Sequence, residues 1–405
     1  MSLGSPVLLT LLFGTLGGPA LAAEPEPPPD LLLPLKTDTD RPADVALVVG
    51  VQDYAFVPDV PFASRDARAF YTFLVHTRGL SPENVVLLDA GANREMVLQA
   101  ASTLRSQRQA EGVFWLYFAG HGIAMADGRS RMLLGDDVRH DQASFRTRGV
   151  SLEGLVESLA VAGPVVAVLD TCYNGLSRTG DALLPDSRSM VPDHALAAPP
   201  GVVLWSATQP SEVAGPLPGV RHGAFTYLAI GALRGWADGA GGDDPDGAVT
   251  LAEAGTWVSE AFMALDLGGQ HPQMTGRIGQ GPMVVGALEP APSLTTLRMA
   301  GRVDPEASEP AWARQETLEA VLDYDTQVRS ARRPRRFAVV SVVAGGLGAA
   351  TWAGAAYSRI QWDYWQTDEL RWTTNGLWVS SLGLAAMSTT FATAALVARR
   401  KARRG

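Results

Sequence analysis

Val165-Val166-Ala167-Val168-Leu169, followed by Asp170-Thr171-Cys172-Tyr173-Asn174-Gly175, is the stretch on which the fold turns. An unbroken apolar, mostly β-branched run reads as a strand covered on both faces, as in a parallel sheet flanked by helices. It ends at an acid, the only cysteine of the 405-residue chain and a turn-forming Asn-Gly pair. A second run, Val113-Phe114-Trp115-Leu116-Tyr117-Phe118, ends in a similar way, at Ala119-Gly120-His121-Gly122. Sequential strands are neighbours about two thirds of the time, and neighbouring strands lie about 4.8 Å apart. Paired in parallel, these two deliver a thiol and an imidazole to the same edge of one sheet.

Outward from this pair, the chain between 43 and 287 alternates short apolar runs with helical patterns. Strands are expected at 45–49, 85–88, 113–118, 165–169 and 202–205. Ser64, Asn93 and Ser151 stand where they can cap helices, and Gly79 and Gly163 where helices stop. Two more helical patterns cover 224–233 and 251–265. The fold class is therefore α/β: a doubly wound, mainly parallel sheet with helices on both faces and its chemistry at the carboxyl ends of the strands. Gly50-Val51-Gln52-Asp53 after the first strand is too sparse in glycine for a dinucleotide phosphate loop.

A cysteine nucleophile needs a base near it, and an imidazole beside Cys172 favours the reactive thiolate. His121 is that base. The backbone N–H groups of Gly122 and Cys172 are candidates to hold a developing oxyanion. One cysteine excludes internal disulfides and a cysteine-rich zinc site. No cofactor is required by this chemistry.

Charge is divided unevenly. The net charge is −9, but residues 329–405 carry 12 Arg or Lys against 3 Asp or Glu, a net of +9. The other 328 residues thus hold −9 − 9 = −18. An acidic body disfavours nucleic acid and favours cationic ligands. Residues 1–23 read as a signal peptide, with an apolar core at 7–13 and small residues at 20–23, although no Lys or Arg precedes the core. Residues 24–42 read as a Pro-rich linker, and 288–336 as a second linker ending in a short polar helix. Two apolar runs, 337–357 and 376–398, are each long enough to cross a bilayer, giving a C-terminal transmembrane hairpin over 337–398 and a basic tail over 399–405. The signal places the catalytic body outside the cytoplasm, periplasmic or extracellular; the basic flanks favour the cytoplasmic face.

The residues around 121 and 172 resemble the caspase-like family of cysteine endopeptidases, in its metacaspase and bacterial branch. The resemblance covers about 43–286. It rests on Leu47-Val48-Val49-Gly50-Val51, Tyr117-Phe118-Ala119-Gly120-His121-Gly122 and Asp170-Thr171-Cys172-Tyr173-Asn174-Gly175. Ser206-Ala207-Thr208-Gln209 with Glu212 and Ala214, Gly223-Ala224-Phe225-Thr226 and His271-Pro272-Gln273 support it. The separation of 172 − 121 = 51 residues agrees with the family interval of about 50. The animal signature Gln-Ala-Cys-x-Gly is absent. The resemblance implies a caspase-like fold, a His121–Cys172 dyad and a protein or peptide substrate. It makes Asp170 and Asp66 the acids of the primary specificity pocket, with cleavage after Arg or Lys. It also places activating self-cleavage in the loop 176–200, after Arg178 or Arg188. A catalytically silent interaction or sensor module on the same fold is the alternative; loss of the cysteine or histidine would mark it, and neither is lost.

Residues 242–253 come near a calcium loop of the EF-hand type, with Asp244, Asp246 and Glu253 at ligand positions and Gly247 at the turn. Position 1 is Gly242 and no partner loop exists. A solvated acidic turn fits the same residues.

Overall fold

The computed structural model describes residues 27–302, apart from 126, 129, 179, 185–196, 268, 280, 282 and 287. The signal peptide, the hairpin over 337–398, the basic tail and Arg188 lie outside the described residues. No helix among the described residues is long and apolar enough to cross a membrane.

In chain order the strands are β1 (Val45–Gly50), β2 (Val85–Leu88), β3 (Phe114–Ala119), β4 (Gly122–Ala124), β5 (Arg131–Leu133), β6 (Val150–Ser151), β7 (Val165–Asp170), β8 (Val202–Ser206), β9 (Pro216–Leu217), β10 (His222–Gly223), β11 (Ala248–Val249), β12 (Gln273–Gly276) and β13 (Val284–Val285). The helices are α1 (Ala63–Thr72), α2 (Arg94–Gln107), α3 (Gln142–Arg148), α4 (Leu152–Ala160), α5 (Ala224–Gly231), α6 (Leu251–Leu265) and α7 (Leu294–Arg302).

The central sheet has six strands in the order β12-β8-β7-β3-β1-β2. All neighbours run parallel except β12, which is antiparallel to β8. Every residue of β1, β3, β7 and β8 is buried, which is why these runs show no polar alternation. Helix α1 packs with α5, and α2 with α4, so that both faces of the sheet are covered. From β1 the chain passes to β2 on one side and then to β3 on the other. The order therefore reverses between β1 and β3, the place where doubly wound sheets open a crevice at the carboxyl ends of their strands.

The five expected strands form, each within a residue or so of its predicted ends. Asn93 caps α2 by accepting from Met96 N at 3.0 Å, and Ser151 caps α4 by accepting from Gly154 N at 3.2 Å. Ser64 does not cap α1. The helix begins at Phe62, a left-handed residue at φ 70°, and the Ser64 hydroxyl donates to Asp89 O at 2.8 Å.

Two expected linkers are packed segments. Leu31 and Leu32 are buried, Tyr227 Oη donates to Pro29 O at 2.9 Å, and Thr77 Oγ1 donates to Leu35 O at 2.8 Å. At the other end, α7 forms inside the supposed linker from 288 and buries Leu297 and Ala300. Apolar side chains that find a surface override the Pro-rich composition around them.

Candidate active site

β3 and β7 are in register with Ala119 opposite Asp170. His121 and Cys172 each stand two residues beyond that pair. The two loops touch: a Cβ on Gly122 would lie 2.6 Å from Thr171 Oγ1 and 2.7 Å from the Cys172 carbonyl oxygen. Only glycine permits this approach. Ala124 N then donates to Tyr173 O at 3.0 Å, tying the strand after His121 to the residue after Cys172.

The imidazole is held from the β1 side. His121 Nε2 lies 2.6 Å from Pro58 O. A carbonyl only accepts, so Nε2 carries the proton and Nδ1 is left as the basic nitrogen. Tyr54 covers the ring at a centroid distance of 4.7 Å; its hydroxyl accepts from His121 N at 2.8 Å and donates to Leu134 O at 3.1 Å. The Cys172 sulfur accepts from Ala214 N at 2.8 Å. His121 is 3% exposed and Cys172 5%. Burial drives both toward their neutral forms. The imidazole falls to about 4 despite its bond to Pro58, and the thiol rises to about 11 despite the Ala214 amide and the nearby Arg178 charge.

The two pocket acids meet. Asp66 comes from the first turn of α1, set by the turn at Phe62, and Asp170 is the last residue of β7. Between them lies Arg178. Its Nη2 is 2.8 Å from Asp170 Oδ1 and its Nη1 is 3.3 Å from Asp66 Oδ2; Nη1 also donates to Pro61 O at 2.9 Å. The Arg178 side chain is 3% exposed. Asp66 accepts from His222 Nδ1 at 2.7 Å and from Gly223 N at 3.1 Å. The Arg65 guanidinium donates to His222 Nε2 at 3.3 Å, which leaves the proton of this imidazole on Nδ1. Burial keeps His222 below its ordinary value, although the bond to Asp66 acts the other way. Asp170 accepts from Thr226 Oγ1 at 2.6 Å, and Tyr117 Oη is 2.7 Å from that hydroxyl. Burial pushes the Asp170 carboxyl up, and the Arg178 charge pulls it back without reversing it. Burial disfavours the Arg178 cation, but Asp170 and then Asp66 more than restore it.

Among the described residues after the nucleophile, local hydrogen bonds run from Asn174 to Leu183. Ser177 N donates to Asp181 O at 2.8 Å and Leu183 N to Gly175 O at 2.9 Å, while the Asn174 side chain donates to the carbonyls of Ser211 and Glu212. These short-range backbone bonds leave no trace in residue periodicity.

The acidic turn 242–253 does not gather a ligand set. Glu253 Oε2 accepts from Thr250 N at 2.7 Å in a capping box at the start of α6, and Asp246 Oδ1 accepts from Ala248 N at 2.9 Å. Among the described residues no group of three His, Cys, Asp or Glu side chains is arranged to hold a metal. The spacing matched a calcium loop because a capped helix start and a calcium loop both place Glu just inside a helix.

His222, Tyr54 and Pro58 are parts of the site that the sequence did not mark, and Ala214 was marked only as part of the resemblance, not as a donor to the sulfur. Gly223-Ala224-Phe225-Thr226 lay in the right neighbourhood, but backbone carbonyls and amides leave no trace in residue identity.

Comparison with known proteins gives a caspase-domain family model that matches residues 43–274, more than half of the chain. Among solved structures, one described as the structure of pro-Sf-caspase-1 matches at 14% identity and a TM-score of 0.38, covering 62% of this chain and 95% of that one. A search of curated proteins finds no match. The matched span contains the paired strands, His121, Cys172, Asp66 and Asp170: this chain belongs to the caspase-domain family.

Proposed function

We propose that the protein is a cysteine endopeptidase with a His121–Cys172 dyad that cleaves after arginine or lysine. The observation that supports this is the register of β3 and β7, in which His121 and Cys172 each follow one paired position by two residues. His121 Nδ1 takes the Sγ proton, and the sulfur attacks the substrate carbonyl carbon. The tetrahedral oxyanion collapses, and the imidazolium gives its proton to the leaving amine. Water, deprotonated by the same nitrogen, then releases the acyl group and restores the thiol. The Gly122 and Cys172 amides hold the oxyanion. Leu134 N donates to His121 O at 2.9 Å beside the Gly122–Leu133 pair, and the alternation of antiparallel bonding leaves the Gly122 N–H outside the ladder.

Asp66 and Asp170 select the cation. Their burial makes a neutral or acidic side chain a poor occupant, because it leaves two carboxylates unpaired. Turnover of a fluorogenic Arg peptide, lost in Cys172→Ala, tests the chemistry. A matched Asp peptide tests the polarity of the pocket; equal rates on the two would discard the basic preference.

Self-processing after Arg178 or Arg188 belongs to this reading. N-terminal sequencing of fragments from wild type and Cys172→Ala tests it, and equal nicking in both dismisses it. The apolar runs at 337–357 and 376–398 tether the enzyme to a membrane with its body exported. Two spans return the chain to the side of its body, so a reporter fused to the C-terminus reads the topology, and a tail inside the cytoplasm would overturn this placement.

A further inference from the structure

The pocket that selects a cation already holds one. Arg178 is not the proposed nucleophile, base or oxyanion donor, yet each of its terminal nitrogens faces a different pocket acid, with Pro61 O as a third partner. Two acids facing two different terminal nitrogens suit the two-pronged guanidinium. The remaining wall is Gly223. A Cβ there would lie 2.3 Å from Asp170 Oδ2 and 2.8 Å from Arg178 Nη2, so the space is fully used by the guanidinium and the two acids. One cation between two carboxylates leaves an excess negative charge that attracts any competing cation.

Arg178 reaches the pocket from the turn that follows the nucleophile. That turn is closed by local bonds among Gly175, Ser177, Asp181 and Leu183, and passes through Gly180 at φ 88°. A core arginine such as Arg78 offers the contrast. It pairs with Asp44 at 3.0 Å just before the start of β1, at the opposite end of that strand from the pocket, and donates to the Met283 carbonyl.

We infer that Arg178 is a resident ligand of the Asp66–Asp170 pocket, and that the folded chain is closed to basic substrates until the 175–184 turn withdraws it. The inference rests on reading these two acids as the primary pocket. A side chain on a short tether acts at an effective concentration on the order of millimolar. A free guanidinium or amidinium at lower concentration therefore cannot displace it.

The test is benzamidine binding by calorimetry to two full-length chains, Cys172→Ala and Cys172→Ala/Arg178→Ala, neither of which turns over. Benzamidine is expected to bind the double variant at least about tenfold tighter. Equal affinity in both overturns the inference. No binding to either also overturns it, and Cys172-dependent cleavage of a neutral peptide by the active protein would then leave the peptidase reading standing. Loss of the arginine removes the cation from between the two acids, so folding is followed by thermal melting with and without benzamidine. A double variant that folds only with benzamidine supports the inference. One that folds in neither condition shows Arg178 to be a fixed part of the core and overturns it.

Discussion

The dyad and the acidic pocket lie side by side, almost equally removed from water, and meet the cost of burial in opposite ways. In the dyad, burial acts on groups that can give up charge: the imidazole falls to about 4 and the thiol rises to about 11. At neutral pH both are uncharged, so the resting pair is thiol and imidazole, not thiolate and imidazolium. In the pocket the charge stays and is paired, with Arg178 between Asp66 and Asp170. Uncharged buried groups need only hydrogen bonds, whereas a buried ion needs a counter-ion. The two regions are coupled, because the Arg178 charge itself favours the Cys172 thiolate. On the proposed reading, a substrate arginine in its place would supply the same charge at the same position, and a correct substrate would help to prepare its own nucleophile.

The largest expected effect separates the regions cleanly. Cys172→Ala lowers turnover of an Arg peptide by at least about 10⁴-fold. It costs only about 1 kcal/mol of stability, since one small side-chain atom is lost from a well-packed wall. Arg178→Ala reverses that pattern. Breaking a buried pair by removing one partner costs about 3–5 kcal/mol, read as a lower midpoint in urea. A stability change near zero would show that the pocket does not depend on pairing and would erase the contrast between the two regions.

Acid titration sharpens the comparison from the dyad side. The unfolded chain protonates its histidines near 6.5, whereas folded His121 does so only near 4. Between these values the unfolded state binds more protons, so stability rises with pH. His121 imposes no penalty above about 6.5 and costs increasing stability as pH falls toward 4, about 3 kcal/mol in all. His222, also held low by burial, acts in the same direction. His121→Asn is expected to flatten the dependence of the urea midpoint on pH across this window. An unchanged slope would place the acid sensitivity elsewhere.

What the sequence reveals divides along the same line. The positions of His121 and Cys172 are legible because each sits in a local pattern, an apolar strand followed by a glycine turn, and parallel pairing brings the two strand ends to one edge. The two acids of the pocket become legible only through family resemblance, since nothing in the spacing of 66 and 170 brings them together. The occupant is less legible still. Arg178 reads as a basic residue in a polar loop, and its position depends on Pro61 O, Gly223 and the turn at Phe62. The edge strand β12 escapes for another reason: Gln273-Met274-Thr275-Gly276 is not buried at any position, so no apolar run announces it. Helix α7 and the Leu31–Leu32 contact escape because their cores are supplied by distant segments.

Two glycines give the finest comparison. Gly122 belongs to the dyad and Gly223 to the pocket, and a methyl group on either meets a neighbour well inside contact distance. At Gly122 the obstacles include the Cys172 carbonyl oxygen at 2.7 Å, which is backbone and cannot swing aside. Gly122→Ala must push the two loops apart, with a stability loss of about 1–3 kcal/mol and a fall in kcat, since the nucleophile moves with its backbone. At Gly223 the obstacles are side-chain ends, Asp170 Oδ2 at 2.3 Å, Arg178 Nη2 at 2.8 Å and Asp66 Oδ2 at 3.0 Å. Gly223→Ala is therefore expected to cost less stability. Its effect falls on KM for Arg peptides, because the added methyl takes space that any arginine needs. Parallel kcat and KM measurements on the two variants decide the matter: a kcat loss at 223 equal to that at 122 would mean that pocket and dyad move as one rigid piece.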